Sequence, residues 1–244
     1  MVPALFFLIA FFSEVVGTLA GFGSSVFFVP LAGLLFGFHD VLALTSILHV
    51  FSNAAKLVLF GRDVNWKLLF LMGIPSTVFV ILGALLTRQL ELKYAELILG
   101  LFLVFLSFLL WFRPTLRLAP TSLNAITSGG VAGFLAGLIG TGGAVRGLVL
   151  AAFDLEKRAF VATSAAIDSG VDLSRMIVYL RSGYLTENLY WFVPGLFVTA
   201  YLGSYTGKLL LKRIQQQSFR RIVLLLILAI GLTTISRFVI ELVP

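Results

Sequence analysis

The sequence predicts an all-α polytopic membrane protein made of two inverted repeats, each a glycine-broken helical hairpin followed by three transmembrane helices. The first observation is composition: 59% of the residues are hydrophobic and 12% are charged, whereas a soluble domain carries about 25% charged residues. The second is a series of long apolar runs of the kind that cross a bilayer. The third is that this series occurs twice. Together they place the chain in a membrane.

Markers of the first half recur in the second half at a nearly constant separation. Each pair falls at the same place in the order of apolar runs, so an internal duplication explains them with few gaps. We therefore assign residues 1–116 to a first repeat and residues 117–244 to a second, within one integrated membrane domain. Chance matching among apolar residues is the alternative. The pairs are Gly21 and Gly140, Thr45 and Thr163, Pro75 and Pro194, and Gly83 and Gly203, separated by 119, 118, 119 and 120 positions.

The apolar runs define the expected helices in chain order. Those of the first half are Pro3–Leu19, Val26–Phe38, Val41–Phe60, Trp66–Leu86 and Ala95–Phe112. Those of the second half are Ala125–Leu138, Ala144–Phe153, Ala159–Leu180, Leu189–Leu211 and Ile222–Ile240. In each half the first two runs are joined by a cluster of glycines.

The first two runs are too long together for one crossing. As a single helix, Pro3–Phe38 would measure roughly 55 Å against an apolar core of about 30 Å. The chain must therefore fold back at the glycines, either as a re-entrant hairpin or as two short spans. The same holds for the second half. Each half then changes sides an odd number of times, which inverts one half relative to the other.

The distribution of Lys and Arg tests this fold-back. Fold-back puts eleven of these residues on one side and four on the other, whereas single crossings would give nine and six. The positive-inside rule therefore favours fold-back, with the richer side cytoplasmic and both termini outside a cell (plasma or inner) membrane. The richer side holds Arg62, Lys67, Arg113, Arg117, Lys157, Arg158, Lys208, Lys212, Arg213, Arg220 and Arg221; the other holds Arg88, Lys93, Arg181 and Arg237.

Composition also argues against several classes of function. The net charge of +7 comes from basic residues scattered through short loops, so we expect no nucleic acid partner. The chain has no cysteine, which excludes thiol chemistry and thiolate metal sites. No Walker-type phosphate loop is present, so ATP alone does not power the protein. We expect no metal and no cofactor; the expected partners are the lipid bilayer, a small anion and, as an open possibility, further copies of the chain.

Two clusters of glycine and hydroxyl residues interrupt the apolar runs at matching places. In lipid such a break is tolerated only where protein buries it or water reaches it. A helix that restarts there exposes unpaired N–H groups that favour an anion, and paired breaks point to a transporter's binding site. The alternative is that the glycines permit tight packing or turns. The predicted substrate-binding residues are Gly21, Gly23, Ser24, Ser25, Gly140, Thr141, Gly142, Gly143 and Arg146.

Each cluster also suggests how the following helix begins. Ser24 or Ser25 is expected to cap a limb starting at Val26, and residues 141–143 a limb starting at Ala144. Arg146 falls in the first turn after the second cluster, where it would meet an anion. The alternative is that its side chain extends to the outer interface.

These residues carry a resemblance to a known family. Gly21-Phe22-Gly23-Ser24-Ser25 leading to Pro30-Leu31, the degenerate repeat at Gly140–Gly143, the length and the twofold layout resemble the sulfite exporter TauE/SafE family over almost the whole chain. The second copy has Leu148-Val149-Leu150 where the first has Phe28-Val29-Pro30. The resemblance implies secondary transport of small sulfur-containing anions such as sulfite, sulfoacetate or related organosulfonates.

Ionisable residues within the spans are the other functional candidates, since they are costly in lipid. Asp172 and Arg175 are three positions apart and can pair; Asp168 and Asp172 are four apart and would repel if both were ionised. Such repulsion favours proton uptake by one carboxylate, which suits proton coupling. The alternative is a structural pair plus one acid facing water. The predicted coupling or secondary residues are Glu14, His49, Asn53, Lys56, Asp168, Asp172 and Arg175, with Glu14 expected to bind a proton or pair with Lys56.

Besides a carrier, two other functions are compatible with parts of the sequence. An anion channel would use similar half-helices to bind ions. An intramembrane serine hydrolase would pair Ser24 or Ser25 with His49, but the sequence offers no third orienting group and no equivalent histidine in the second half. We therefore predict that the protein is not an enzyme.

Overall fold

The computed structural model describes residues 2–20, 23–89, 92–113, 119–151, 153, 155–210 and 216–242. Within these ranges the chain forms ten α-helices and two 3-10 turns and no strand, which confirms the predicted all-helical class. Gly21 and the boundary between residues 116 and 117 lie outside the described residues. The helices are α1 Val2–Ala20, α2 Ser25–Ala32, α3 Phe38–Phe60, α4 Trp66–Thr87, α5 Leu92–Phe112, α6 Ser122–Ile139, α7 Gly143–Ala151, α8 Lys157–Arg181, α9 Phe192–Leu210 and α10 Gln216–Leu242; the 3-10 turns are Gly61–Asp63 and Glu187–Leu189.

Five helices among the described residues are long and apolar enough to cross a membrane. Their spans are Val2–Leu19, Phe38–Asp63, Trp66–Thr87, Tyr94–Phe112 and Ser122–Ile139, and a shorter apolar stretch runs from Ile227 to Ile240. Phe12, Phe70, Phe105 and Phe197, on four different helices, are each more than half exposed, as expected of side chains that face lipid. α8 is more polar because three ionisable residues lie along its middle.

The two shortest α-helices, α2 and α7, each follow an interruption of the chain. At eight and nine residues they are about 12–14 Å long, less than half of the apolar core. We call residues 23–24 the first break and residues 140–142 the second break. Gly23 has φ of 81° and Gly140 has φ of 78°, a left-handed conformation that glycine adopts without steric cost.

Glycines bring α4 and α6 into backbone contact. Gly129, Gly133 and Gly137 recur every fourth residue, so they share one face of α6. A Cβ at Gly129 would lie 2.5 Å from the Met72 carbonyl oxygen, and those at Gly133 and Gly137 would collide with carbonyl oxygens of α4. Ser76 Oγ also donates to the Gly129 carbonyl at 2.8 Å. This is the small-residue packing typical of membrane helices.

The remaining helices pack in recognisable pairs. α1 lies against α9, α3 against both α8 and α9, α4 against α8, and α5 against α10. α2 contacts α1 and α3, and α7 contacts α6 and α8. Both short helices therefore lie beside the α3–α8 pair, which brings the two breaks to the ionisable residues of these long helices.

Candidate functional site

The two breaks and the α3–α8 pair border a small, partly open cavity of about 30 Å³. A second cavity of about 30 Å³ adjoins it and shares Gly23, Asn53, Lys56 and Asp168 with the first. We call the residues around the first cavity the polar centre. Residues from both breaks, α3, α7 and α8 line it: Gly23, Ser24, Ser25, His49, Asn53, Lys56, Gly140, Gly142, Gly143, Arg146, Asp168, Asp172 and Arg175.

Most of the candidates from the sequence therefore meet in one place. Thr141 and Glu14 are buried next to the cavity rather than on its lining. Thr141 joins the breaks, because its Oγ1 accepts a hydrogen bond from Ser25 at 3.3 Å. Gly21 lies outside the described residues.

Glu14 of α1 is fully buried and surrounded by donors. Its carboxylate accepts hydrogen bonds from Ser24 Oγ and from Ser52 Oγ at 2.8 Å. Lys56 Nζ lies 3.4 Å from it, which is the pairing considered from the sequence. A buried carboxylate is tolerable only with such compensation. α3 and the first break therefore supply Glu14 with two hydrogen-bond donors and a cation.

His49 connects the first break to α8. Its Nε2 lies 2.7 Å from Ser24 Oγ and its Nδ1 lies 3.1 Å from Arg175 Nη2. Arginine can only donate, so Nδ1 accepts and the neutral ring carries its proton on Nε2. That proton points at Ser24 Oγ, whose own hydrogen goes to Glu14. A chain of hydrogen bonds thus runs from Arg175 through His49 and Ser24 to Glu14.

This tautomer bears on the serine hydrolase alternative. A general base must present a lone pair to the hydroxyl that it deprotonates. His49 instead presents an N–H to Ser24, and the serine donates to a carboxylate. The arrangement buries charge and does not activate a nucleophile.

Arg175 ties α8 to the second break. It pairs with Asp172 at 2.7 Å, the pairing that the three-residue spacing allows. Its Nη1 donates to the carbonyl oxygens of Gly140 at 2.9 Å and Ala136 at 3.2 Å. These carbonyls lie at the C-terminal end of α6, where the helix dipole favours a cation. Asn53 of α3 donates to the other Asp172 oxygen at 2.6 Å.

Arg146 points into the polar centre. Both of its terminal nitrogens contact the Asp168 carboxylate at 2.5 Å, and the residue is only 3% exposed. The alternative in which it extends to the interface is therefore wrong, because the fork of the guanidinium matches this carboxylate one helix away.

The predicted serine cap is also wrong. Ser24 occupies the position before α2, but its side chain makes no capping hydrogen bond, and α2 begins at Ser25 rather than Val26. The hydroxyl goes to Glu14 instead. A cap would need Ser24 Oγ to accept from a backbone N–H group, whereas here this oxygen faces His49 Nε2 at 2.7 Å. The first turn of α2 therefore has no side-chain cap.

Charges in the polar centre balance. Three acids (Glu14, Asp168 and Asp172) face three cations (Lys56, Arg146 and Arg175), so the formal sum is zero when His49 is neutral. Two donors are left over: in the part of the chain that the structure describes, Nε of Arg146 and Nε of Arg175 are buried without a hydrogen-bond partner. The centre thus offers unused cationic N–H groups.

Sequence reasoning did not single out two residues that support this centre. Tyr179 donates to the Gly137 carbonyl at 2.5 Å, and Ser164 Oγ lies 3.5 Å from Asp168. Ser164 precedes Asp168 by four positions and Tyr179 follows Arg175 by four. The helical repeat of polar residues along α8 was the available signal.

Helices of membrane-spanning length around a buried centre of paired charges define a polytopic membrane protein of the transporter kind. The family model for the sulfite exporter TauE/SafE matches residues 6–234. The chain belongs to that family, which confirms the resemblance seen in the sequence. A search of curated proteins finds no match. At the level of the family, membership implies membrane transport of sulfite or related sulfur anions, consistent with a protein that is not an enzyme.

Proposed function

We propose that this protein is a secondary transporter of small sulfur-containing anions, such as sulfite, sulfoacetate or a related organosulfonate, and that it holds the anion between the two breaks. The observation that carries the proposal is the pair of buried, unpaired Nε–H groups on Arg146 and Arg175 beside one cavity. Guanidinium groups bind oxyanions through charge-assisted hydrogen bonds, which are strong where water is excluded.

The size of the cavity supports a carrier more than a channel. About 30 Å³ holds roughly one or two water molecules, which is less than a sulfonate needs. The ion pairs that cross the centre also obstruct a continuous pore. An anion enters only when the surrounding elements move apart, as alternating access requires.

We also propose that the two halves are inverted repeats. In the order of the repeats, α1 corresponds to α6 and α4 corresponds to α9. The α4–α6 contact therefore has its counterpart in the α9–α1 contact. The pairs α3–α8 and α5–α10 each join equivalent helices. Asn53 and Asp172, hydrogen-bonded across the first of these pairs, are themselves 119 positions apart. A twofold axis that passes near these two residues would interchange the equivalent helices of the two repeats, and these contacts support such an axis.

Helix direction supports inversion in particular. Along α3 and the turn after it, His49 meets Arg175 and Asp63 meets Arg158. From the first of these contacts to the second, residue numbers rise along α3 and fall along α8. The equivalent helices α3 and α8 are therefore antiparallel. Equivalent helices of opposite direction are expected of repeats related by an axis in the membrane plane. In this arrangement both termini lie outside and the residue 114–118 link is cytoplasmic.

A binding screen tests the proposed function. Purified protein in detergent is titrated by calorimetry with sulfite, thiosulfate, sulfoacetate, taurine and sulfate. Saturable binding of one or more of the sulfur anions is the expected result. Binding of none of them under conditions in which thermal melts show a folded protein would refute the proposal.

A further inference from the structure

We propose that His49 takes up a proton with the anion and that this protonation releases Arg175 to bind the anion. The inference rests on the proposed function and deepens it, since it assigns the coupling step to one side chain. It starts from the balance of charge. With His49 neutral the centre sums to zero, so an anion alone would leave a net negative charge in a buried space. A proton bound at the same time cancels one unit of that charge.

His49 differs from the acids of the centre in its contacts. Each carboxylate already has a cation close by: Lys56 at 3.4 Å from Glu14, Arg146 at 2.5 Å from Asp168 and Arg175 at 2.7 Å from Asp172. Each of these ion pairs is neutral as a unit. Protonating one of them would leave its cation unpaired. The imidazole is the one titratable group, among those that the structure describes in the polar centre, that can take a proton without leaving a cation unpaired.

The charged groups around His49 come from α1, α3, α7 and α8. Glu14 of α1 lies 3.9 Å from Nε2, and Asp172 of α8 lies 3.6 Å from Nδ1. These two carboxylates lie on opposite sides of the ring. Arg175 Nη2 of α8 lies 3.1 Å from Nδ1. The remaining charged groups, Lys56 on the same helix, Asp168 on α8 and Arg146 on α7, are engaged with their own partners.

Protonation changes the hydrogen bond at Nδ1. In the neutral ring this atom accepts from Arg175 Nη2. A proton arriving from water occupies the lone pair, so the atom becomes a donor and faces Asp172 Oδ2 at 3.6 Å. Nη2 loses that acceptor and keeps its contact with Asp172 Oδ1. One N–H of Nη2 is thereby freed.

Nη2 adjoins a second unused donor of the same guanidinium. Nε and Nη2 of an arginine share one side, and two parallel N–H groups there match an oxyanion. Nε of Arg175 has no partner among the described residues. Nη1 stays bonded to the carbonyls of Gly140 and Ala136, so the side chain remains fixed at the second break. Proton uptake at His49 therefore completes a two-pronged anion site.

Calorimetry of sulfoacetate binding tests the step, because the charge of this anion is constant between pH 6 and 8.5. Titrations in buffers of different ionisation enthalpy give the protons taken up per anion. The parent protein should take up a proton, and its affinity should fall as the pH rises, by up to about tenfold per pH unit. His49→Gln, whose amide can replace both hydrogen bonds, should bind with an affinity that does not change with pH. His39→Gln is the matched control because that ring stacks on Tyr184 away from the centre, and it should behave as the parent.

Nuclear magnetic resonance of labelled histidine covers the case in which His49→Gln fails to fold. The chain has two histidines, so the His39→Gln protein reports His49 alone. The ring should be neutral with its proton on Nε2 in the free protein, and doubly protonated with sulfoacetate bound. A ring that stays neutral on binding, or a pH dependence that persists in His49→Gln and disappears in Asp168→Asn, would overturn the inference. Binding without proton uptake refutes only this step, whereas absence of binding of every sulfur anion refutes the proposed function as well.

Discussion

At the scale of single residues, the charge on Arg146 is the feature most directly tied to anion binding. Arg146→Gln removes one unpaired N–H and one positive charge from the centre. A hydrogen bond to a charged group contributes about 1.5–3 kcal/mol, so sulfoacetate affinity should fall by roughly 10- to 150-fold. The measurement is calorimetry, with thermal melts as a check on folding.

The control for Arg146 is the Arg146→Lys variant. Lysine keeps the charge and can still reach Asp168, but it lacks the Nε–H group and the planar fork. Its affinity should lie between those of the parent and the glutamine variant. Parent-like affinity in Arg146→Gln would show that the arginine only neutralises Asp168.

The sequence predicted which residues would matter at this scale better than it predicted their partners. The spacing of Asp172 and Arg175 suffices for their pair, because three positions on a helix bring side chains together. The partners of His49 could not be read in the same way. Ser24 is 25 positions away and Arg175 is 126 positions away. Only the packing of the first break against α3 and α8 decides that these groups meet.

At the scale of elements, the two breaks should be sensitive to substitution for different reasons. Gly23→Val places a β-branched residue at φ of 81°, although nothing lies within 4 Å of a Cβ there. Gly142→Val drives a side chain into the Ala132 carbonyl oxygen. Either change should abolish measurable sulfoacetate binding, because the backbone at the break loses its shape.

Gly183 supplies the matched control for the breaks. It has φ of 71° in the loop after α8, again with nothing within 4 Å. Gly183→Val therefore carries the backbone strain of Gly23→Val at a place outside the centre, and it should bind as the parent does. Folded Gly23→Val and Gly142→Val proteins with parent affinity would move the site away from the breaks.

The α4–α6 contact makes a separate prediction about stability. Gly133→Ala puts a methyl group onto the Ser76 carbonyl, so the helices must separate, and the variant should lose more than about 1 kcal/mol of stability. Gly130→Ala adds the same atom on the same helix, where it meets the Phe79 ring at an ordinary 3.5 Å. Thermal melts in one detergent compare the two. Equal melting temperatures would show that α4 and α6 do not pack through this glycine face.

Elements were predictable wherever apolar character alone determined them. The runs Trp66–Leu86 and Ala95–Phe112 lie within α4 and α5. The absence of a serine cap on α2 could not be read from the sequence, because the partner of the Ser24 hydroxyl is Glu14, ten positions back and on another helix. The sequence could indicate that α6 packs closely against another helix, but not that this helix is α4. Glycines every fourth residue are typical of such contacts, but the partner helix is a property of the whole fold.

At the scale of the whole molecule, inversion of the halves predicts the sides of the membrane on which loops lie. Reporter fusions after Arg117 and after Arg237 should place the first in the cytoplasm and the second outside. The reason is that each half crosses an odd number of times and the richer basic loops stay inside. Activity of both fusions on the same side would contradict inverted repeats, whatever the packing of the helices.

The central claim is that the protein moves a sulfur anion through the polar centre. Uptake of radiolabelled sulfite into liposomes that contain the purified protein tests it most directly, with empty liposomes and the Arg146→Gln protein alongside. The account predicts uptake that saturates with sulfite concentration, increases when a proton gradient is imposed, and falls close to the empty-liposome level in the variant. Uptake no faster than in empty liposomes, or uptake that rises without saturation and is equal in the parent and the variant, would contradict it.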